Sequence, residues 1–494
     1  MRGGRPVGIP GRRWRHSRAL YSADNTPAHR ARRLQGPSLE AHMPPTKTLA
    51  EFVIDTKADA IPDWVLHEST RTLINLLAIS LSASRHPTAG TLEAWARAEG
   101  GNPRATVIGS GMRTSLGHAS LINGYLAHLQ DYDDTHFPTV LHPTAPTWPA
   151  VLAAAETTRA RGRDVLAAFA LGAEACCRVA LSTHPWHYDE GWHITGTVGA
   201  FGAAAGAGWL LGLDSTQMVH AFGLAGTQAL GLREVFGSTG KPLHPGKAAS
   251  NGLQAAQLAK EGMTSTDEIL AGRRGFWAVL CGGKSNEEAL LAGLGERWEL
   301  KNNGLKPYAN GIVSHPIQEA VIALRNRHHL QPDQVQSIAA RTHPLVPELM
   351  NRPNPRVGLE GKFSFQHCAA AALVDGAGHD AQFTDAKVLD PVISAVRAKV
   401  SATPDKSIEE EEVHLSITLT DGRVVSMHIE HAAGSPKNPM SDAALEAKFR
   451  ALATEVLDEQ QAERLLEAAW RLDQASNIHE VMTLASRQTA ASPG

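Results

Sequence analysis

The chain has 494 residues, 43% of them hydrophobic, enough for two or three packed units at roughly 150 residues per domain. Lys and Arg number 47 against 50 Asp and Glu, and the formal charge of -3 builds no long-range field to draw DNA, RNA or an anionic membrane. A small-molecule partner is the expectation.

Residues 1–42 differ from the rest, with nine Arg, no Lys, only Asp24 and Glu40 as acids, and no apolar stripe. They read as a disordered or mis-started extension ahead of Met43, although an Arg-rich, acid-poor leader also suits a mitochondrial transit peptide. From Thr48 to about Asn302, Ala/Leu-rich segments recur with apolar residues three to four apart, and these predict helices. The tract GTVGAFGAAAGAGWLLGL has Gly and Ala on every face, suited to a buried helix in close contact with others. As a dinucleotide fingerprint it lacks a preceding strand.

The four cysteines, Cys176, Cys177, Cys281 and Cys368, show no C-x-x-C spacing, which argues against an iron–sulfur or structural zinc centre and fits a reducing compartment. The longest apolar runs, such as 200–213, are shorter than the ~20 residues of a bilayer span, so a soluble cytoplasmic protein is expected.

Near Lys306 the pattern changes. VQSIAARTHP predicts a strand, and EVHLSITLTDGRVVSMHIEH alternates Val413, Leu415, Ile417 and Leu419 across Asp421-Gly422 into Val425, Met427 and Ile429, a β-hairpin. Helical spacing returns after Pro439, with Ser441 or Asp442 as N-cap. The expected architecture is therefore mainly α: a helical domain from 43–302 plus 435–490, with a smaller α+β unit, 303–434, inserted as a lid.

Four polar clusters interrupt the apolar helices: DYDDTHFPTVLHP, GWHITGTVGAFG, TGKPLHPGKAASNG and KPYANGIVSHP. Asp131, Asp133, Asp134 and His136 offer metal donors, but their spacing matches neither a calcium loop nor the H-E-x-x-H helix. Acid/base chemistry explains more of the pattern. Removing a proton beside a carboxylate needs a base, for which His142 and His193 are candidates, and cations to hold the developing charge, for which Lys241 and Lys306 are candidates. Taken singly, a His in a turn is more often a hydrogen-bonded structural residue, and a Lys before Pro usually faces solvent. No G-x-S-x-G elbow or phosphate loop is present.

The chain resembles the MmgE/PrpD family, which includes 2-methylcitrate dehydratase, cis-aconitate decarboxylase and iminodisuccinate epimerase. The resemblance runs from about Leu49 to the C-terminal helices. It rests on NGYLAHLQDYDDTH with HPTAPTWPAVLAAAE, HITGTVGAFGAAAGAG, GSTGKPLHPGKAASNGLQAAQLAKEG with ILAGRRGFW, KPYANGIVSHPIQEA, and NRPNP with GKFSFQHCAAAAL. It implies a homodimer working without metal or cofactor on a di- or tricarboxylate, with the site between the helical and inserted parts. Matching motifs place Asp131, Thr135, His142, His193, Lys241 and Lys306 in the pocket. By similarity the lysines clamp carboxylates, His142 moves a proton with His193 close by, Asp131 orients a histidine, and Thr135 bonds substrate, with His315 and Lys362 as further binding candidates. Decarboxylases of the family carry a tyrosine before NRP, where this chain has Leu349 and Met350. The expectation is therefore a 2-methylcitrate dehydratase-like hydro-lyase. Epimerisation, cis-aconitate-type decarboxylation or a non-catalytic helical ligand-binding scaffold are the alternatives.

Overall fold

Small residues set how closely the helices meet. The computed structural model describes residues 44–487, so the extension read at 1–42 lies outside the described residues. At the centre lies the helix Ile194–Leu211, buried on all sides from Ile194 to Gly208. It packs against Thr144–Thr158, Gly162–Thr183, Ser215–Gly226 and Leu243–Lys260. A helix apolar all round is stable only when enclosed, and its glycines let neighbouring backbones approach. Gly202 faces the Gly172 carbonyl and the Thr147 side chain, while Gly252 of the neighbouring helix faces the Ala200 carbonyl.

Gly162–Thr183 and Ile194–Leu211 are long and apolar enough to cross a membrane by length and composition, and the first, at 22 residues, exceeds the run read from the sequence. Within their most apolar windows 94% and 83% of residues are buried inside the fold, so both are accounted for as core helices. Gly162–Thr183 also buries a charge pair, with Arg178 Nε donating to Glu174 Oε1 at 2.6 Å and its remaining N–H groups donating to backbone carbonyls, including Arg297 at 2.7 Å. The four cysteines are buried thiols.

The predicted strand and hairpin form a four-stranded sheet in the order Val400–Pro404, Val335–Thr342, Val413–Leu419, Val424–Ile429. The first pair is parallel and the other two are antiparallel. Gly422 takes φ 87° at the turn, the left-handed conformation that glycine adopts without a Cβ penalty. Val413, Leu415, Ile417 and Leu419 alternate into the core, covered by the helix His315–His328. The strand Val400–Pro404 was not anticipated from the sequence.

After the sheet, Asp442–Ala453 returns to pack on Asp63–Ala83, capped by the Ser441 hydroxyl, which accepts from Ala444 N at 3.2 Å. A second link joins the inserted segment to the helices: Asp134–His136 pairs antiparallel with Asn303–Leu305, with Thr135 opposite Gly304. Position 303 thus lies in a ladder that holds the acidic loop beside Lys306. The described residues belong to one compact unit.

Glycine packing is testable at the crossing of Leu116–Leu129 with Leu243–Lys260, where a Cβ added at Gly124 would lie 2.9 Å from Gly246 Cα and one added at Gly246 would strike the Leu121 carbonyl. Gly246→Val should lower unfolding free energy in urea by about 1–3 kcal/mol. Gly90→Ala, exposed in Pro87–Glu99 with open space at its Cβ, should raise it by about 0.4–1 kcal/mol. Equal effects at the two positions would contradict the close crossing.

Candidate active site

The site begins where the helix Leu116–Leu129 ends. Asp131 adopts φ 52°, a left-handed conformation uncommon for a residue with a Cβ but one that Asp tolerates better than most. The turn aims the next three carboxylates differently. Asp131 Oδ1 accepts from Lys306 Nζ at 2.5 Å and its Oδ2 from Lys241 Nζ at 3.1 Å. Asp133 Oδ2 is 2.6 Å from His128 Nδ1, and its Oδ1 is 3.3 Å from Lys306 Nζ and 3.4 Å from His142 Nδ1. Asp134 is structural: it accepts from the Thr144 hydroxyl at 2.5 Å, at the start of Thr144–Thr158, and from Asn303 Nδ2 at 2.8 Å.

Each other polar group sits at the end of an element. Lys306 follows Asn303–Leu305, Lys241 lies two residues before Leu243–Lys260, and His193 immediately precedes Ile194–Leu211. Lys241 Nζ also lies 5.1 Å and 4.9 Å from the ring centres of Phe236 and Phe363, where aromatic faces favour a cation. His142 Nδ1 lies 2.5 Å from the Asp134 carbonyl, an acceptor only, so this nitrogen carries the proton and Nε2 is left free to take another. His193 Nδ1 is 2.9 Å from His244 Nδ1, one of the two donating.

Asp131, Thr135, His142, His193, Lys241 and Lys306 therefore line one cavity. Ile312, Val313, Leu349, Met350 and Phe363 of the inserted segment form its apolar side. Two expected binding residues stand elsewhere. His315 is buried with Nε2 3.2 Å from the Asn310 carbonyl, and Lys362 donates to the Ala309 carbonyl at 2.8 Å and pairs with Asp380 at 2.7 Å. Both hold the loop 309–311 from behind. Neither forms part of the cavity wall: Lys362 is drawn to the Ala309 carbonyl and Asp380, and His315 Nε2 faces the Asn310 carbonyl. The part expected of Asp131 also changes, since its carboxylate bonds both lysines while Asp133 is the one paired with a histidine.

His128 and His244 were not singled out in the sequence, and Asp133 was noted only as a metal donor. His128 packs edge-on to His142, ring centres 4.7 Å apart, and stacks on His193 at 5.6 Å. The available signal was its place in the last helical turn, three residues before Asp131, on the side where the chain reverses.

Charge and burial oppose each other throughout. Burial pushes the Asp131 carboxyl up, but the Lys241 and Lys306 ammoniums together outweigh it and hold the group well below the usual carboxylate range. Asp133 is held low in the same way by His142, His128 and Lys306. Burial lowers Lys241, and Asp131 only partly offsets this; Lys306, with the shorter contact and Asp133 besides, ends above its ordinary value. Burial drives His193 well below the imidazole range, reinforced by Lys241, and takes His128 down to about 3 despite Asp133. The site thus combines a charged Lys306, an ionised Asp131 and neutral imidazoles.

Of the metal donors read from the sequence, Asp131 and Asp133 come within 4.8 Å of each other and of His128 and His142, whereas Asp134 is spent on Thr144 and His136 Nε2 faces Glu299 Oε2 at 3.2 Å. Donor atoms of His128, His142 and His193 do come within 4.8 Å of one another. A divalent ion among them would oppose the ammoniums of Lys241 and Lys306, which already supply positive charge where a carboxylate would sit.

Paired cations, neutral imidazoles and an apolar wall make a set of groups that can hold a carboxylate and move a proton. The chain belongs to the MmgE/PrpD family: the MmgE/PrpD N-terminal domain matches residues 47–289 and the MmgE/PrpD C-terminal domain residues 308–474. It is 27% identical over 454 residues to the cis-aconitate decarboxylase of Homo sapiens, covering 89% of this chain and 94% of that protein. The cis-aconitate decarboxylase of Aspergillus terreus is also 27% identical, over 472 residues that cover 89% of this chain and 95% of that protein.

Asp131→Asn should cost about 3–5 kcal/mol of stability, since it leaves two buried ammoniums without their shared anion. Lys241→Met leaves the Asp131–Lys306 pair in place and should cost markedly less while abolishing ligand binding. Paired denaturation curves of the two variants check the order.

Acidification supplies a second test. His128 and His315 are held at about 3, and His187 and His367 at about 4, each chiefly by burial. Between about pH 6.5 and 4 the unfolded chain binds protons that these folded imidazoles refuse, so stability falls as pH drops through that window. Burial acts oppositely on Asp134, raised to about 6, and Glu174, raised to about 7, and the two offset only part of the effect. The urea midpoint should therefore be lower at pH 5 than at pH 7. An equal or higher midpoint at pH 5 would contradict neutral burial of the histidines.

Proposed function

We propose that the chain is a lyase that binds a small di- or tricarboxylate between the lysine pair and the histidines and reacts at a carbon alpha to a carboxylate. The observation that carries this reading is the single buried cavity in which Lys241 and Lys306 share Asp131 while His142 keeps Nε2 free. A substrate carboxylate entering there meets two ammoniums held by one carboxylate, so it gains charge-assisted bonds while Asp131 keeps the cluster near neutrality. Negative charge growing on the substrate is then stabilised by fixed cations in a site poor in water, where such interactions count most.

Among reactions open to such a site, the names of the relatives favour decarboxylation of cis-aconitate. In that reaction a carbon–carboxylate bond breaks, carbon dioxide leaves, and the electron pair stays on the substrate carbon, delocalised toward a remaining carboxylate. His142 on this geometry, having taken a proton from solvent at Nε2, then delivers it to carbon. The second reading, a hydro-lyase, uses the same group in reverse order: His142 takes the alpha proton, the hydroxyl leaves the neighbouring carbon, and the proton held on His142 passes to it so that it departs as water. Leu349 and Met350 in the cavity wall favour this second reading, because they stand where the family's decarboxylases are expected to carry a tyrosine.

Incubating the full chain with cis-aconitate, citrate and 2-methylcitrate in deuterated water, followed by proton NMR and carbon dioxide release, separates the readings. Carbon dioxide from cis-aconitate, with deuterium entering the product, is the expected result. An alkene formed from a hydroxy acid without carbon dioxide would replace it with the hydro-lyase, and alpha-proton exchange alone with an epimerase. His142→Ala should lower turnover by about 100-fold or more at unchanged melting temperature. Turnover unaffected by that substitution would remove His142 from the mechanism.

A further inference from the structure

The outer face of the hairpin carries a second cluster, on the sheet and separate from the residues that line the cavity. His414 of Val413–Leu419 and His428 of Val424–Ile429 are direct cross-strand partners, and their rings stack with centres 4.0 Å apart and planes 7° from parallel. Both turn a ring nitrogen toward one carboxylate oxygen: Glu412 Oε1 lies 2.8 Å from His428 Nε2 and 3.3 Å from His414 Nε2. The other oxygen, Oε2, accepts from the backbone N–H of Glu409 at 3.2 Å, which fixes the carboxylate with Oε1 directed at the imidazoles. The donor atoms of the three residues lie within 4.8 Å of one another.

Three features make this a ligand set and not only a pair of surface hydrogen bonds. The donors are two imidazoles and a carboxylate, the set that suits zinc and its neighbours among the first-row divalent ions, with metal–ligand distances of about 2.0–2.2 Å. Tetrahedral placement at such distances separates ligand atoms by about 3.3–3.6 Å; the 3.3 Å between His414 Nε2 and Glu412 Oε1 meets this, and the 2.8 Å between His428 Nε2 and Glu412 Oε1 must open to reach it. The backbone frame is fixed, because a hydrogen-bonded ladder sets the spacing of both histidines and the Glu409 N–H orients the carboxylate; the parallel rings turn about their side-chain bonds to bring both nitrogens to one ion. The surrounding charge is mildly favourable: of the four consecutive acids Glu409 to Glu412, Glu411 pairs with Lys437 at 3.1 Å and burial pushes Glu410 up to about 7, which leaves Glu409 and Glu412. Arg341 stands opposite His414 on the next strand, but its guanidinium is held by Asp405 at 2.6 Å. Side-chain exposures of 41% for His414 and 47% for His428 leave the fourth position open to water or to a donor from outside.

We propose that Glu412, His414 and His428 form a surface site for a divalent transition cation of the zinc class, clamping the two strands of the hairpin. Binding replaces any proton shared between the histidines and Glu412, and stabilises the hairpin by mass action.

The test is titration of the chelator-stripped full chain with zinc chloride by calorimetry, beside His414→Ala, His428→Ala and the double variant. All of these positions are exposed enough to be changed without disturbing the core. The wild type should take up zinc and melt at a higher temperature when loaded. Each single variant should bind at that site at least ten-fold more weakly, and the double variant should lose one equivalent. Absence of zinc binding by the wild type overturns the proposal. So does an unchanged stoichiometry and affinity in the double variant, which would place the ion on other histidines, such as those at the cavity.

Discussion

Asp131, held between Lys241 and Lys306, is the interaction on which the rest of the site depends. One buried carboxylate serves two ammoniums that come from later in the chain, 110 and 175 residues away in sequence. Neither lysine would remain charged in this setting alone, because burial by itself favours the neutral amine. The shared anion keeps the cluster close to neutral before any ligand arrives, and it presets the spacing of the two cations. The left-handed turn at Asp131 is what brings that carboxylate to them.

Everything around the triad holds these three groups in place. The ladder between Asp134–His136 and Asn303–Leu305 carries Lys306 to the acidic loop. Lys448, from the C-terminal helix Asp442–Ala453, donates to Asn75 Oδ1 and to the carbonyls of Tyr132 and Lys306, each at 2.8–2.9 Å, and so ties the first long helix, the acidic loop and the lysine segment together. Its ammonium also lies 3.5 Å from the Tyr132 ring centre. A buried lysine with three acceptors fixes geometry well, because leaving any of them unmet is expensive in a dry interior. The Gly/Ala helices underneath act by shape alone. Their close crossings bring the ends of three helices, bearing His128, His193 and Lys241, to one place.

Burial has a further consequence for the imidazoles. His128, His193 and His244 crowd together beside a lysine, and low solvent access keeps all three uncharged. Neutral imidazoles can stack at short range without mutual repulsion, and they leave lone pairs available for proton movement. His142, packed on His128 and lining the cavity with His193, differs in having one ring nitrogen fixed by the Asp134 carbonyl. Positive charge resides on lysines and proton movement on histidines, and the two tasks are separated by a few ångströms.

Periodicity in the sequence was sufficient to predict the helices before residue 302, the Asp421-Gly422 hairpin and the Ser441 cap, because each is decided by contacts within a few residues. Lys241, Lys306, His142 and His193 could be picked out as well, since a polar residue beside Gly or Pro at the end of an apolar segment has few structural reasons to be there, and the family resemblance added Asp131 and Thr135 and reinforced the other four. Other features required the tertiary structure. Strand Val400–Pro404 is only five residues long, has no fully buried side chain and ends in Pro, so only its parallel partner Val335–Thr342 identifies it. His128 resembles any helical histidine until Asp133 folds back to meet it. His315 and Lys362 carry the right chemistry in the right motifs, yet their bonds to the 309–310 backbone and to Asp380 turn them away from the cavity. Composition and local pattern determine which residues can do chemistry. Which of them share one dry volume is decided by long-range packing, because burial, charge pairing and the direction of a side chain depend on neighbours hundreds of residues away.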